Sequence, residues 1–256
     1  MRIARCEAIA WAAALLISLF GAAAVPLLAE DETDSPDAGP RHFKGREIAQ
    51  TMHYLGASWL TRESREREED CTTMLGQLGI KPGDVVCDMG CGNGFYTLKL
   101  AKLVTGDGKV LAVDIQQEML HLLSEEAKDA GVDNIQTILG GLTNPKLPDG
   151  KLDLILLVDV YHEFSHPEEM LRAMRKSLKP TGRLALVEFR LEDRNVPIKL
   201  LHKMSKEQIL KEIPPCGFRL CGQFDKLPWQ HLMFFERDDA PAKPNQPDRA
   251  SQTNTK

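Results

Sequence analysis

The sequence predicts a doubly wound α/β sheet, and three observations carry that expectation. Short apolar runs alternate with amphipathic stretches along most of the chain. One run, Leu152–Val158 (LDLILLV), is almost wholly apolar, as a parallel strand covered on both faces requires. A glycine-rich turn, Met-Gly-Cys-Gly-Asn-Gly (89–94), separates the first apolar run from the helix after it, where such sheets open toward a ligand.

The elements follow in order. Cys71, Met74, Leu75 and Leu78 fall at i, i+3, i+4 and i+7, which predicts one helix over 62–78, closed by Gly79. The Lys-Pro-Gly-Asp turn at 81–84 leads into a strand at Val85–Cys87. A helix over 94–104, a strand at Lys109–Val113 and a helix carrying Met119, Leu120, Leu123 and Ala127 come next, the last ended by Gly131. Ile135–Leu139 and Leu152–Val158 are the third and fourth strands. Ser165 and Glu168 read as a capping box for a helix bearing Met170, Leu171, Met174 and Leu178. A fifth strand at Leu184–Phe189, a helix near 205–213 and two last strands at about 218–224 and 230–236 complete the unit.

The chain has 256 residues, room for one such domain plus tails. A formal net charge of −5 argues against a nucleic-acid binder, which needs a basic surface. Arg2 and Arg5 precede an uncharged run, Ala8–Ala29, and Glu30, Asp31, Glu32, Asp34 and Asp37 follow it. Residues 1–29 therefore read as a signal peptide or membrane anchor, with the remainder exported or held at a membrane by residues 8–29. Residues 30–42 read as an acidic linker, 43–237 as the folded domain and 238–256 as a disordered polar tail. The six cysteines point the other way, to a reduced compartment: Cys87 and Cys91 flank a buried strand and its loop, and Cys216 and Cys221 are too far apart if extended to pair.

In the loop, Gly90, Gly92 and Gly94 let the backbone turn tightly and approach a ligand. The spacing is GxGxG, with Phe95 standing where a dinucleotide fingerprint needs its third glycine. Asp88 ends the strand, where a carboxylate would repel a pyrophosphate but suit a cationic amine and sulfonium. Asp114 closes the next strand 20 residues after Gly94, placed to accept from ribose hydroxyls.

The segment KPGDVVCDMGCGNG resembles the first motif of class I S-adenosylmethionine-dependent methyltransferases. It is especially similar to the small-molecule branch that includes the ubiquinone/menaquinone-biosynthesis enzymes. LPDGKLDLILLVDVYHEF (147–164) and LKPTGRLALVEF (178–189) resemble that branch's fourth- and fifth-strand regions. The resemblance covers roughly 65–190 and implies a Rossmann-like sheet of seven strands, mostly parallel with an antiparallel last strand. It further implies S-adenosylmethionine as cofactor and a small molecule as methyl acceptor. By motif, Asp88, Gly90, Gly92 and Gly94 would hold the methionine end, Asp114 the ribose and Ile115 the adenine face. Where relatives carry an acidic residue toward the adenine amino group this chain has Gly141 and Leu142, leaving backbone contacts to serve.

His162-Glu163-Phe164-Ser165-His166 also matches H-E-x-x-H, so a zinc hydrolase using His162 and His166 is the alternative enzyme. That motif works only on a continuous helix, and Pro167 disfavours helical geometry at His166; no metal site is expected. In a methyltransferase, Asp159, Tyr161 and His162 would emerge beside the methyl group. His162 is the first candidate for a general base and Asp159 the second, each against a packing role. Residues 43–65 are expected to form a lid, with His53, Tyr54, Trp59 and Arg62 as candidates to touch the acceptor. Pro197–Lys203 is expected to form the opposite wall, which makes His202 a weak candidate. A third reading is a cofactor-binding protein without turnover.

Overall fold

A computed structural model describes residues 40–241. The leader at 1–29, most of the linker and the tail beyond 241 lie outside the described residues. Among the described residues no helix is long and apolar enough to cross a membrane. A short hairpin, β1 (His42–Phe43) and β2 (Arg46–Glu47), opens the domain. Helices α1 (Ala57–Leu60), α2 (Arg65–Glu69) and α3 (Cys71–Gln77) follow. Then strand and helix alternate: β3 (Val85–Met89), α4 (Phe95–Leu103), β4 (Lys109–Asp114), α5 (Gln117–Asp129), β5 (Ile135–Leu139) and β6 (Leu152–Val158). Helix α6 (Pro167–Ser177), β7 (Leu178–Phe189), α7 (Lys206–Glu212), β8 (Phe218–Phe224) and β9 (Gln230–Arg237) complete the fold.

The seven long strands form one sheet in the order β5-β4-β3-β6-β7-β9-β8, with only β9 antiparallel to its neighbours. The expected seven-stranded sheet with an antiparallel last strand is the one observed. Its central strands are covered on both faces, and successive side chains sort between them. Cys87, Met89, Ile155, Leu157 and Leu186 join Met170, Leu171, Ile209 and Ile213 from α6 and its neighbourhood. Val86, Leu154, Leu156, Ala185 and Val187 join Cys71, Met74, Leu78 and Leu100 on the other face. The chain leaves β3 toward β4 and later returns to β6 on β3's other side, so the ends of β3 and β6 diverge into a crevice.

Two local expectations are corrected. The single helix over 62–78 is broken at Asp70, whose φ of 51° is left-handed. Its carboxylate instead accepts from Thr73 N–H and starts α3 (3.2 Å). The Ser165–Glu168 capping box does not form: α6 begins at Pro167, His166 caps it without a side-chain bond, and Ser165 Oγ bonds the His166 ring. Proline at the first helical position has no N–H to cap, so the helix starts later than the box would place it. Cys71, Cys87, Cys91 and Cys216 carry free thiols.

Candidate active site

One cavity of about 640 Å³ occupies the crevice. Its floor is the ends of β3, β4 and β6, and the segment from Gln50 to Arg65 roofs it. The roof is tied on both sides. Gln116 Nε2 donates to Met52 O (2.9 Å) and Tyr54 N–H donates to Gln116 Oε1 (2.8 Å). Across the cavity, Ala49 N–H and Arg46 Nη1 both donate to the His162 carbonyl (3.2 and 2.8 Å). The roof lies within the segment 43–65.

At the β3–β4 end, Gly90 and Gly92 sit at φ 70° and 52°. A Cβ on Gly90 would stand 2.3 Å from Val160, and one on Gly92 2.5 Å from Leu60, so both the backbone and the packing demand glycine. Asp114 straps this loop: its carboxylate accepts from Gly92 N–H and Gln116 N–H, each at 2.9 Å. Burial raises its pKa while these amides lower it. Each oxygen keeps a further lone pair at the cavity, suited to hydroxyl donors. Asp114→Ala should weaken cofactor binding in calorimetry by about 1–3 kcal/mol; unchanged affinity would remove Asp114 from the site.

Of the other residues assigned to the cofactor, Ile115, Gly141 and Leu142 line the cavity, but Gly141 directs its amide to Asn144 O (2.9 Å). That N–H is thereby already engaged within the loop. Gly94 packs against Leu123 from α5 instead of facing the cavity. Asp88 is likewise set back, accepting from Thr97 Oγ1 at 2.6 Å in the buried base of α4.

Burial pushes the Asp88 carboxyl up to about 6. The folded chain therefore holds this proton more tightly than the unfolded chain, whose Asp titrates near ~3.9. The group's contribution is full below about pH 4 and is lost as pH rises through about 6. Asp88→Asn should thus stabilise the chain near neutral pH by up to about 3 kcal/mol, an advantage that vanishes in acid. Denaturant unfolding at both pH values reads this, and a variant destabilised at neutral pH would show that the Thr97 bond outweighs desolvation.

Asp159, unlike Asp88, does line the cavity. It follows β6 at a left-handed φ of 52°, a conformation that costs a non-glycine residue about 1–3 kcal/mol. Gln230 Nε2 donates to its Oδ2 at 2.6 Å, and Oδ1 is buried without a partner. Burial, then the charge of Glu69, drives its pKa well above the carboxylate range. Around it, Arg62 and Arg65 pair with Glu69 at 2.6 and 2.9 Å, and the Arg62 guanidinium lies 3.8 Å over the Trp59 ring. With Asp88 behind, three carboxyls face two guanidiniums, an arrangement that fits a ligand carrying an ammonium and a sulfonium and repels a pyrophosphate. S-adenosylmethionine fits such a lining, in which Asp159 faces the cavity while Gln230 and Asp88 lie behind it.

At the opposite end, a turn at Tyr161–Glu163 follows β6. His162 Nδ1 lies 2.7 Å from Glu188 Oε2, and Glu188 Oε1 accepts the Tyr161 and His162 amides at 2.9 and 3.3 Å. This fixes the Nδ1–H tautomer, so Nε2 accepts from His202 Nδ1 at 3.0 Å on the cavity wall. Burial alone would lower the His162 pKa, but the Glu188 charge and hydrogen bond raise it above the usual value. Burial pushes Glu163, beside it, up to about 7.

Trp59, Asp159 and His162 line the cavity; Tyr54 and Tyr161 do not. Tyr161 is fully buried, its hydroxyl donating to Glu212 at 2.8 Å, and Glu212 in turn holds Arg46 at 2.9 and 3.0 Å. The expected acceptor contact is thus a structural anchor for the turn that carries His162. His162 and His166 sit on separate elements, with the His166 ring turned to Ser165 (3.0 Å), so the hydrolase arrangement is not formed. Sequence reasoning missed Glu188, Glu69 and Gln230. The first had a signal, a lone carboxylate in the apolar run Leu184–Phe189.

A methyltransferase-domain family model matches residues 80–235. Two similar proteins are ubiquinone/menaquinone biosynthesis C-methyltransferases. That of Ectopseudomonas mendocina is 34% identical over 112 residues, covering 43% of this chain and 44% of the relative. That of Azotobacter vinelandii is 29% identical over 157 residues, covering 59% and 61%. The chain thus spans less than two thirds of the length of either. The crystal structure of a SAM-dependent methyltransferase from Aquifex aeolicus superposes with a TM-score of 0.68 at 26% identity, covering 72% of this chain and 98% of that one. The carboxylate-lined crevice, the glycine loop and these similarities together place the chain in the class I methyltransferase-domain family, with S-adenosylmethionine as its cofactor.

Proposed function

We propose that the chain transfers a methyl group to a small-molecule acceptor whose nucleophile lies against His162. The observation that carries this reading is the Glu188-backed His162, opening into the same cavity as Asp114 and Asp159. The cofactor supplies an electrophilic methyl group on a cationic sulfur. The chain's own residues do the rest. Asp159, positioned by Gln230, holds the cationic end, Asp114 the sugar, and the tied roof segment shields the reacting atoms from water. His162 Nε2 is the atom placed to take the acceptor's proton, and Glu188 stabilises the imidazolium that results.

The cavity wall is mixed. Trp59, Leu60, Phe164, Phe189 and Ile198 offer apolar surface, which supports an acceptor with an apolar body and one ionisable group. Incubating the purified chain with labelled cofactor and a metabolite extract, then reading which species gains the label, tests the assignment. Transfer to a small molecule supports it. Cofactor binding without transfer to any species would favour a cofactor-binding protein without turnover.

A further inference from the structure

His162, Glu163 and His202 form a group of which the methyl-transfer reading uses only His162. The atoms they present to one another are His162 Nε2, His202 Nδ1 and Glu163 Oε1. Their separations are 3.0 Å between the nitrogens, 3.9 Å from Glu163 to His162 and 4.0 Å from Glu163 to His202. A triangle with these sides has one point equidistant from its corners, about 2.1 Å from each, which is the length of a bond from imidazole nitrogen or carboxylate oxygen to a divalent transition metal. All three side chains line the cavity.

We propose that His162 Nε2, His202 Nδ1 and Glu163 Oε1 bind one divalent transition-metal ion of the zinc type at the acceptor end of the cavity. Three further features of the same residues support it. Glu188 accepts from His162 Nδ1 at 2.7 Å, so the chain already holds the carboxylate–histidine arrangement that orients a metal-binding imidazole and strengthens its lone pair. The surroundings suit a cation: the carboxyls of Glu163 and Glu188 stand beside the His162 imidazole, and the nearby Arg46 is paired with Glu212 at 2.9 Å. Two imidazoles with one carboxylate select zinc, iron(II) or a similar ion over magnesium and calcium, which prefer all-oxygen shells.

The sequence carries no sign of this site because its second imidazole comes from His202, 40 residues beyond His162, and not from the His166 of the H-E-x-x-H match. Three protein ligands leave the side toward the cavity open. An acceptor hydroxyl or thiol there would be acidified by the ion's charge, the task His162 performs alone in the metal-free chain. The inference stands on the ligand geometry and goes beyond the methyl-transfer reading.

The test is metal binding by the full chain, stripped with a chelator, dialysed and titrated with Zn²⁺ and with Co²⁺ as a visible probe. One ion per chain is expected, with a ligand-field absorption from bound Co²⁺. His202→Ala and Glu163→Gln should each weaken Zn²⁺ binding at least tenfold, and Glu188→Gln by about 10–100-fold. His121→Ala, at an exposed position on α5, should leave it unchanged. His202 is partly exposed, so its variant keeps the test valid if the buried Glu188 variant fails to fold. Sub-stoichiometric Zn²⁺ in the folded parent, or equal affinity in the parent and His202→Ala, would overturn the proposal. Calorimetry with S-adenosylhomocysteine on the same samples separates the two readings. Cofactor binding without metal sinks only the metal site, and metal without cofactor sinks only the methyl-transfer reading.

Discussion

Replacing His162 by alanine should lower turnover by about 10²–10⁴ while leaving cofactor affinity where it was. The reasoning is geometric. In the proposed arrangement His162 Nε2 meets the acceptor, while Asp114, Asp159 and the glycine loop, which line the same cavity, hold the cofactor. Removing the imidazole also strands the buried Glu188 carboxylate, which keeps only the two turn amides it already holds. Some stability will be lost, so turnover must be compared at a temperature where both chains are folded. Glu188→Gln is the informative companion. It keeps the shape and a hydrogen bond but removes the charge that makes Nε2 basic, so its rate should fall between the two. A near-normal rate in His162→Ala would mean that positioning alone carries the reaction and that His162 is a packing residue.

Asp159→Asn should act in opposite directions on stability and binding. In the ligand-free chain the Asp159 carboxyl stands beside Glu69, with one oxygen on Gln230 and the other buried and unpartnered. Burying such a group without a compensating cation costs several kcal/mol. An asparagine can still accept from Gln230 and can offer its amide to Glu69, which Asp159 only repels. The variant should therefore melt higher than the parent, unlike most substitutions at buried sites. Cofactor affinity should fall by about 10–100-fold, the worth of a hydrogen bond between charged groups. Thermal unfolding with and without S-adenosylhomocysteine reads both effects, because the ligand-induced rise in melting temperature shrinks as affinity falls. A variant that melts lower yet binds as tightly would show that Asp159 is structural.

The strands, the order in which they alternate with helices and the glycine loop were legible in the residues. Each is written locally, in runs such as Leu152–Val158 and in the turn at Gly90–Gly94. Asp114 was legible too, because a carboxylate at the end of the strand after that loop has few other places to go. Side-chain partners were not legible, and the reason is distance along the chain. Glu188 reaches His162 across 26 residues, His202 reaches it across 40, and Gln230 reaches Asp159 across 71. Those meetings depend on β6, β7 and β9 being neighbours in the sheet, with Val158 in register with Val187 and Glu188 with His231. No periodicity within one strand encodes a register between strands. The same holds for direction. Asp88 and Asp159 both stand at strand ends, yet Asp88 turns back to Thr97 while the left-handed backbone at Asp159 turns its carboxylate to the cavity. Local sequence thus determined which segments are strands and where the chain opens toward a ligand. The packing of distant segments decided which acids, imidazoles and amides meet there, because their contacts form only once the sheet has assembled.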